Sequence, residues 1–334
     1  MRQHHFPKNA KATVSKLSRM LANGCLAVAM VTAAAAARAE PAWPDEKPIT
    51  WVVGFSAGGS VDVITRAVAQ QVSATLKQNV VVENKAGAAG AIALASVARA
   101  KPDGYTLITV PGPILREDDG LEIGEKLVGV ATLAEGAVVM VGAANGPADF
   151  KQLRAAIEKT PNAFTYASSG VGTGQHIAGA MFNLALQAQM VHVPYKGGSQ
   201  ALANVMGGQV TLGFLGVSTV LPQVLDGKLI AYAVTSPNRV ASLPDVPTFE
   251  EAGIAGFNLT QWYVAAMPAG TPEAVIQKFR RAVDDALRTP QILTLLKASG
   301  LDAPGKEAQD PTAFARASIE QSRMIAKKAN ITLQ

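Results

Sequence analysis

The sequence holds a single cysteine in 334 residues, Cys25, and it sits inside an apolar run near the N-terminus. If that run is removed on export, the remaining chain has no thiol, which excludes disulfides, thiolate chemistry and cysteine metal sites. Histidine is nearly as scarce. His4 and His5 precede the run, leaving only His176 and His192, and two imidazoles without carboxylates at ligand spacing do not make a metal site. There is no Gly-Lys-Ser/Thr phosphate loop, and "GVGTG" (170–174) lacks the full Gly-x-Gly-x-x-Gly spacing of a dinucleotide fingerprint. Beyond residue 39 no stretch approaches the about 20 apolar residues of a membrane span. Neither a cofactor nor a metal is expected.

The N-terminal segment accounts for much of the basic charge. Arg2, Lys8, Lys11, Lys16 and Arg19 stand without an acid before the apolar run Leu21–Ala37, which Ala37-Arg38-Ala39 follows. A positive leader, an apolar core and small residues at the cleavage positions describe a secretory signal peptide over residues 1–39, with Glu40 as the mature N-terminus. Its removal leaves 24 basic against 25 acidic residues. The basic excess belongs to the address, so nucleic acid is not an expected partner.

The remainder alternates strand and helix signals. "ITWVVG" (49–54), "NVVVEN" (79–84) and "YTLITV" (105–110) are β-branched, apolar runs. Between them, "VDVITRAVAQQVSATL" and "AIALASVARA" carry apolar residues at helical spacing. "AFTYASSGVGTGQHIAGAMFNLAL" (163–186) and "MVHVPYKGGSQALANVMGG" (190–208) repeat the plan. Gly59 and Gly87 lie 28 residues apart in the first half, and Gly172 and Gly198 lie 26 apart in the second. Strands alternating with helices predict an α/β chain with parallel sheets covered on both faces. We read two similar lobes: residues 40–144 with 258–334, and residues 145–257, with "GAANGP" (142–147) and "AGFNLTQW" (255–262) as crossovers. Three C-terminal helices are predicted to return over the first lobe.

One stretch raises a catalytic question. Gly54-Phe55-Ser56-Ala57-Gly58 spells Gly-x-Ser-x-Gly, the nucleophile elbow of serine hydrolases. A secreted hydrolase using Ser56 is the alternative to a binding protein. Against it, Ser56 follows the first strand of the mature chain, so no upstream loop could supply an oxyanion hole. His176 opens a helix and His192 lies in a strand, neither on the late loop expected of a catalytic base. The other reading needs no nucleophile. Loops 55–60, 86–90, 168–175 and 196–199 are rich in Gly, Ser and Thr and each precedes a helix. Backbone N–H groups at helix N-termini, with the positive end of the helix dipole, bind anions without arginine. Four such loops facing one cleft would hold an acid. Asp62 could pair with Arg66 one turn on, or could meet a ligand ammonium or a bound water. Lys85 and Lys196 flank two of the loops, and Trp262 and Tyr263 either line the cleft or lock the crossover.

The motifs "PITWVVGFSAGGSVDVITRAVAQQV", "VVVENKAGAAGAIA", "KPDGYTLI", "YASSGVGTGQHIAG", "VHVPYKGGSQAL", "LPDVPTFEEAG" and "PAGTPEAVI" resemble, in order and over roughly residues 46–325, the Bug-type receptors. These are the periplasmic solute-binding proteins of tripartite tricarboxylate transporters. The resemblance implies a type II-like periplasmic binding fold, no enzymatic activity, and a monomer that captures a small organic carboxylate for its transporter's membrane subunits. It assigns ligand contact to Phe55, Ser56, Gly58 and Gly59 in the first lobe, with Gly87 and Ala88 beside them. In the second lobe it assigns Ser168, Ser169, Gly172, Thr173 and His176, then Tyr195, Lys196, Gly197 and Gly198. Ordered water commonly assists in the first lobe, and a carboxylate at the Asp62 position is sometimes used for ammonium-bearing ligands. The chain departs from the family's pattern over residues 111–130, at Thr211, and at Gly216 beside Ser218, in segments expected to reach the cleft. Ligand identity is therefore not carried over from any relative.

Overall fold

A computed structural model describes residues 43–115 and 123–331. The expected export signal with its cleavage site, and residues 116–122 of the atypical segment, lie outside the described residues. The chain divides into two compact units, Met1–Glu46 and Lys47–Gln334. In the first, residues 43–46 form a turn; all that follows belongs to the second.

The run "ITWVV" becomes β1 (Ile49–Val53), almost wholly buried because neighbours flank it on both sides. β2 (Val80–Asn84) and β3 (Thr106–Gly112) pair with it in parallel. β2 is the sheet edge, so its side chains alternate and Val81 remains 54% exposed. Helices α1 (Ser60–Leu76) and α2 (Ala91–Ala98) make the two crossovers. The second half repeats this order. β5 (Thr165–Ser168) lies between β6 (Val191–Pro194) and β7 (Leu212–Gly216), all parallel, with α4 (Gly174–Leu186) and α5 (Gly198–Met206) as crossovers. In each half the first strand sits in the middle of its parallel trio. That is the strand-order reversal at which open α/β sheets bind ligands, outside the carboxyl ends of the strands.

One long strand joins the halves. β4 (Leu127–Ala143) pairs antiparallel with β9 (Thr260–Pro268) from Leu127 to Ala137. From Val138 onward its partner is β7, and from Val139 also β8 (Leu229–Val234). β9 closes the first trio against β3, and the short β10 (Leu301–Asp302) joins β4 at Glu135 and Gly136. The remaining helices are α3 (Phe150–Lys159), α6 (Val217–Leu225), α7 (Glu273–Leu287), α8 (Pro290–Ala298) and α9 (Pro311–Lys328). The three C-terminal helices pack on first-half elements: Phe279 of α7 meets the Trp51 ring edge-on at 5.3 Å, Gln291 of α8 accepts from Gln71 of α1 at 2.9 Å, and Phe314 of α9 packs on Trp262. Trp51 also donates to Thr109 Oγ1 at 2.8 Å, which satisfies the one polar atom of that buried indole. The second half packs Phe182, Phe214 and Phe249 into one aromatic cluster. Among the described residues no helix is long and apolar enough to cross a membrane.

Candidate functional site

Helix starts separate into two kinds. α3 is capped by Asp149, α8 by Thr289 and α9 by Asp310, each side chain accepting a first-turn N–H. Such caps consume donors that a helix leaves unpaired. α1, α5 and α6 begin instead at Gly59, Gly197 and Gly216, with no side-chain cap. All three follow carboxyl ends of parallel strands. These three leave first-turn donors without a side-chain cap where the topology brings their starts together; α4 beside them is capped by Thr173, and α2 and α7 also lack a cap.

The first-half loop is shaped by Asp62. Gly58, at φ +79°, takes a conformation that glycine alone adopts freely, and its N–H donates to Asp62 Oδ2 at 3.0 Å. Asp62 Oδ1 accepts from Arg66 Nε at 3.0 Å and from Asn84 Nδ2 at 2.9 Å. Asn84 Nδ2 also donates to the Phe55 carbonyl, and Arg66 Nη2 donates to Asn84 Oδ1. The Asp62 side chain is 5% exposed, while Arg66 keeps 47%. Burial alone would raise this carboxyl's pKa; the hydrogen bonds from Arg66, Gly58 and Asn84, with the Arg66 charge, outweigh it and hold it low. The helix-turn pair with Arg66 anticipated from the sequence is present, and the carboxylate's other contacts brace the loop.

Across from it, Ser56 meets the second half. Its N–H donates to the Lys196 carbonyl at 3.3 Å and its Oγ to the same oxygen at 3.4 Å. Ser199 Oγ donates to the Ala57 carbonyl at 3.0 Å. A Cβ added at Gly59 would stand 3.8 Å from Gly198 N, and one at Gly170 would stand 3.0 Å from Ala89 Cβ. The four loops singled out from sequence therefore converge. Phe55 is buried, with its ring against Gly90, and Gly87 and Ala88 turn the 86–90 loop through positive φ.

The 168–175 loop is wired internally. Ser168 Oγ accepts from Gly170 N–H at 3.1 Å and lies 2.7 Å from His192 Nε2. Ser169 N–H donates to Gln175 Oε1, and Gly172 N–H to His176 Nδ1 at 3.1 Å. Thr173 Oγ1 donates to the Gly170 carbonyl at 2.8 Å and accepts from His176 N–H, capping α4. Tyr195 N–H donates to the Ser168 carbonyl. The hydroxyls of Ser168 and Thr173 thus hold backbone in place, and their loop is preorganised. Beneath it, His176 and His192 stack with ring centres 3.9 Å apart at 8°, and Tyr166 stacks on His192 at 4.9 Å. Burial pushes His176 down to about 4 and His192 to about 3, the neighbouring His176 adding to the latter.

These facts bear on Ser56 as a nucleophile. Its Oγ faces a carbonyl, and the two imidazoles are engaged by Ser168 and Gly172. A ring whose conjugate acid has a pKa near 3 is too weak a base to take a serine proton at neutral pH. Lys85 Nζ lies by Glu83 and Ser96. Trp262 turns away to Ser318 Oγ at 2.7 Å, whereas Tyr263 bonds Ser60.

The segments around Gly216 and Ser218 and at 113–115 within residues 111–130, expected from the sequence to reach the cleft, are at the site, but the contacts that join them were not foreseen. Ser60 Oγ lies 3.0 Å from Thr219 Oγ1 and accepts from Ser218 Oγ, joining the starts of α1 and α6. The signal was there: "LGFLGVST" is another strand, glycine and helix start. Segment 113–115 also reaches the site, Leu115 N–H donating to Gly172 O and Gly174 N–H to Pro113 O. Among the described residues no cluster of three His, Cys, Asp or Glu could hold a metal ion.

Comparison with known proteins comes to one family. The sequence profile described as "Tripartite tricarboxylate transporter family receptor" matches residues 64–331. The chain is 30% identical to protein BugT of Bordetella pertussis over 292 residues, 85% of this chain and 89% of BugT. The solved periplasmic binding protein BugD superposes with a TM-score of 0.81 at 32% identity, over 86% of this chain and 99% of BugD. MatC of Rhodopseudomonas palustris, solved with bound malate, superposes with a TM-score of 0.79 at 28% identity, over 84% and 99% of the two chains. The fold is the α/β periplasmic-binding architecture expected from the sequence.

Proposed function

The chain belongs to the tripartite tricarboxylate transporter receptors, a family of periplasmic solute-binding proteins rather than enzymes, and from that premise we propose how it works. It is exported with cleavage after Ala39, remains monomeric, and captures a small organic carboxylate between its two lobes. It then presents that solute to the membrane subunits of its transporter. It has no hydrolase activity, and Ser56 is a loop residue. The lobes are residues 40–144 with 258–334, and residues 145–257; the two parallel trios, β2-β1-β3 and β6-β5-β7, support this division.

The observation that carries this reading is the convergence of three glycine-started, uncapped helices from both lobes. A carboxylate seated there receives N–H groups from α1 on one side and from α5 and α6 on the other. Each helix terminus favours a negative charge by about 0.3–1 kcal/mol in the open, and up to about 2 kcal/mol when partly buried. Three of them, with the N–H groups of Gly59–Val61, supply a binding site without an arginine, and the 168–173 loop, whose N–H groups are largely bonded within it, gives that site a fixed wall. Phe55, Ser56, Gly58, Gly59, Gly87 and Ala88 form its first-lobe wall. Ser169, Gly172 and residues Tyr195–Gly198 form the second-lobe wall, supported from behind by Ser168, Thr173 and His176. MatC was solved with malate, an acid of the size proposed here. Because both walls are needed, a ligand stabilises the closed form by its differential affinity for it. Isothermal titration of the mature protein with mono-, di- and tricarboxylates tests the reading. Saturable binding of one class is expected; no binding of any acid would overturn it.

A further inference from the structure

Where the starts of α1 and α6 meet, a buried polar group is left unsatisfied by the protein. In β9 the indole of Trp262 turns toward Ser318 and Phe314, so strand alternation sends Gln261 to the opposite face. There its Oε1 lies against Gly216: a Cβ added to that glycine would stand 3.3 Å from Gln261 Oε1 and 2.5 Å from Ser60 Oγ. Gly216 starts α6 and Ser60 is the first residue of α1, so the amide sits between two uncapped helix starts from opposite lobes. Gln261 is 9% exposed, and its Oε1 has no hydrogen-bond partner. The nearby hydroxyls do not serve it, since Ser60 is engaged by Ser218, Thr219 and Tyr263. A buried carbonyl oxygen left unpaired is costly and calls for a partner; beside two helix starts that favour an anion, a donor carried by the ligand would supply it. The missing side chain at position 216 is what gives the glutamine its room.

Asp62 supplies the second half of the argument. An ammonium group taken into this cleft would need a carboxylate beside it. Asp62 is the acid nearest the α1 start, and its oxygens are bonded to Gly58, Arg66 and Asn84. On the carboxylate-receptor reading above, we infer that the acid bound here carries a hydroxyl near the carboxylate seated at α1, donates that hydroxyl to Gln261 Oε1, and bears no ammonium group. Gln261 is the specificity residue for a hydroxy acid, and Asp62 is a positioning residue.

Calorimetric titration of the mature protein with matched acids tests this. The series are lactate, propionate and alanine; malate, succinate and aspartate; citrate and tricarballylate; mandelate, phenylacetate and phenylglycine. Within whichever series binds, the hydroxy acid should bind on the order of tenfold or more tighter than its deoxy counterpart, and the amino acid weaker still. Gln261→Met, close in shape but without the acceptor, should bring the hydroxy acid to the deoxy acid's affinity and leave the latter unchanged. Its unliganded melting temperature should not fall. Gln261→Glu, which adds a carboxylate, should weaken every acid but penalise the amino acid least. A deoxy or amino acid binding as tightly as the hydroxy acid would overturn the inference while leaving the carboxylate reading intact. So would Gln261→Met weakening all acids equally. Failure of all the acids to bind would remove the reading itself, and this inference with it.

Discussion

A single methyl group placed at Gly197 tests whether the two lobes must meet for binding. The backbone there is extended, at φ 167°, so alanine brings no conformational strain of its own. Its Cβ would lie 3.0 Å from Ser56 N, 3.1 Å from Ser56 Cβ and 3.2 Å from Ser56 Oγ, closer than side chains normally pack. Ser56 belongs to the other lobe, and its N–H and Oγ both donate to the Lys196 carbonyl. Either the loops give by a few tenths of an ångström or the lobes part. Overfilling a close-packed contact costs about 1–3 kcal/mol, and here the cost falls on the closed form alone. At about 1.4 kcal/mol per tenfold, affinity should drop about 5- to 150-fold. The unliganded protein, free to open, should melt within about a degree of wild type. Titration calorimetry of Gly197→Ala, with thermal melts lacking ligand, measures both quantities. An unchanged dissociation constant would refute the reasoning, as would an affinity loss matched by equal destabilisation of the free protein.

Other perturbations probe the parts that hold the site. Asp62→Ala should destabilise by about 2–4 kcal/mol in urea unfolding, because Gly58 N–H and Asn84 Nδ2 lose a buried acceptor. A loss under about 1 kcal/mol would mean that only its half-exposed pair with Arg66 matters. His176 and His192 have folded pKa values of about 4 and 3 against an ordinary 6.5, so the unfolded chain takes up protons first as pH falls. Stability should therefore be full above about pH 6.5 and decline toward pH 4, by up to about 1.4 kcal/mol per pH unit for each ring. Asp62, its pKa lowered, adds its own loss only at lower pH. His192→Phe should flatten the slope, and a level wild-type profile over that window would contradict the buried-pair account. Ser56 should stay unlabelled by a fluorophosphonate probe; stoichiometric labelling lost in Ser56→Ala would restore the hydrolase alternative.

What could be read from the sequence follows from how local each determinant is. The paired strand, loop and helix units were legible because Gly58-Gly59, Gly87, Gly172 and Gly197-Gly198 mark each turn and the hydrophobic period changes across it. β4 was not: nothing local in "LVGVATLAEGAVVMVGA" marks Ala137 as the point where β9 gives way to β7 and β8. That exchange is set by strands far along the chain. The loops of the site were legible for the same reason as the turns, but the work of their side chains was not. Ser168 finds His192 only because β5 and β6 pair in parallel, with Tyr166 opposite His192. Asp62 showed its contact with Arg66, one helical turn away, yet its bonds to Gly58 and Asn84 depend on how the loop folds back and where β2 ends. Gln261 gave no signal, because its isolation arises where Gly216 and Ser60 meet it from distant segments.

The most direct test of the central claim is a crystal structure of the mature protein with the acid that titration selects. The account predicts a carboxylate between the lobes, within hydrogen-bonding distance of the N–H groups at Gly59–Val61 and of donors from the 168–173 or 197–199 loops. A carboxylate bound elsewhere on the protein, or held by one lobe without the other, would contradict it.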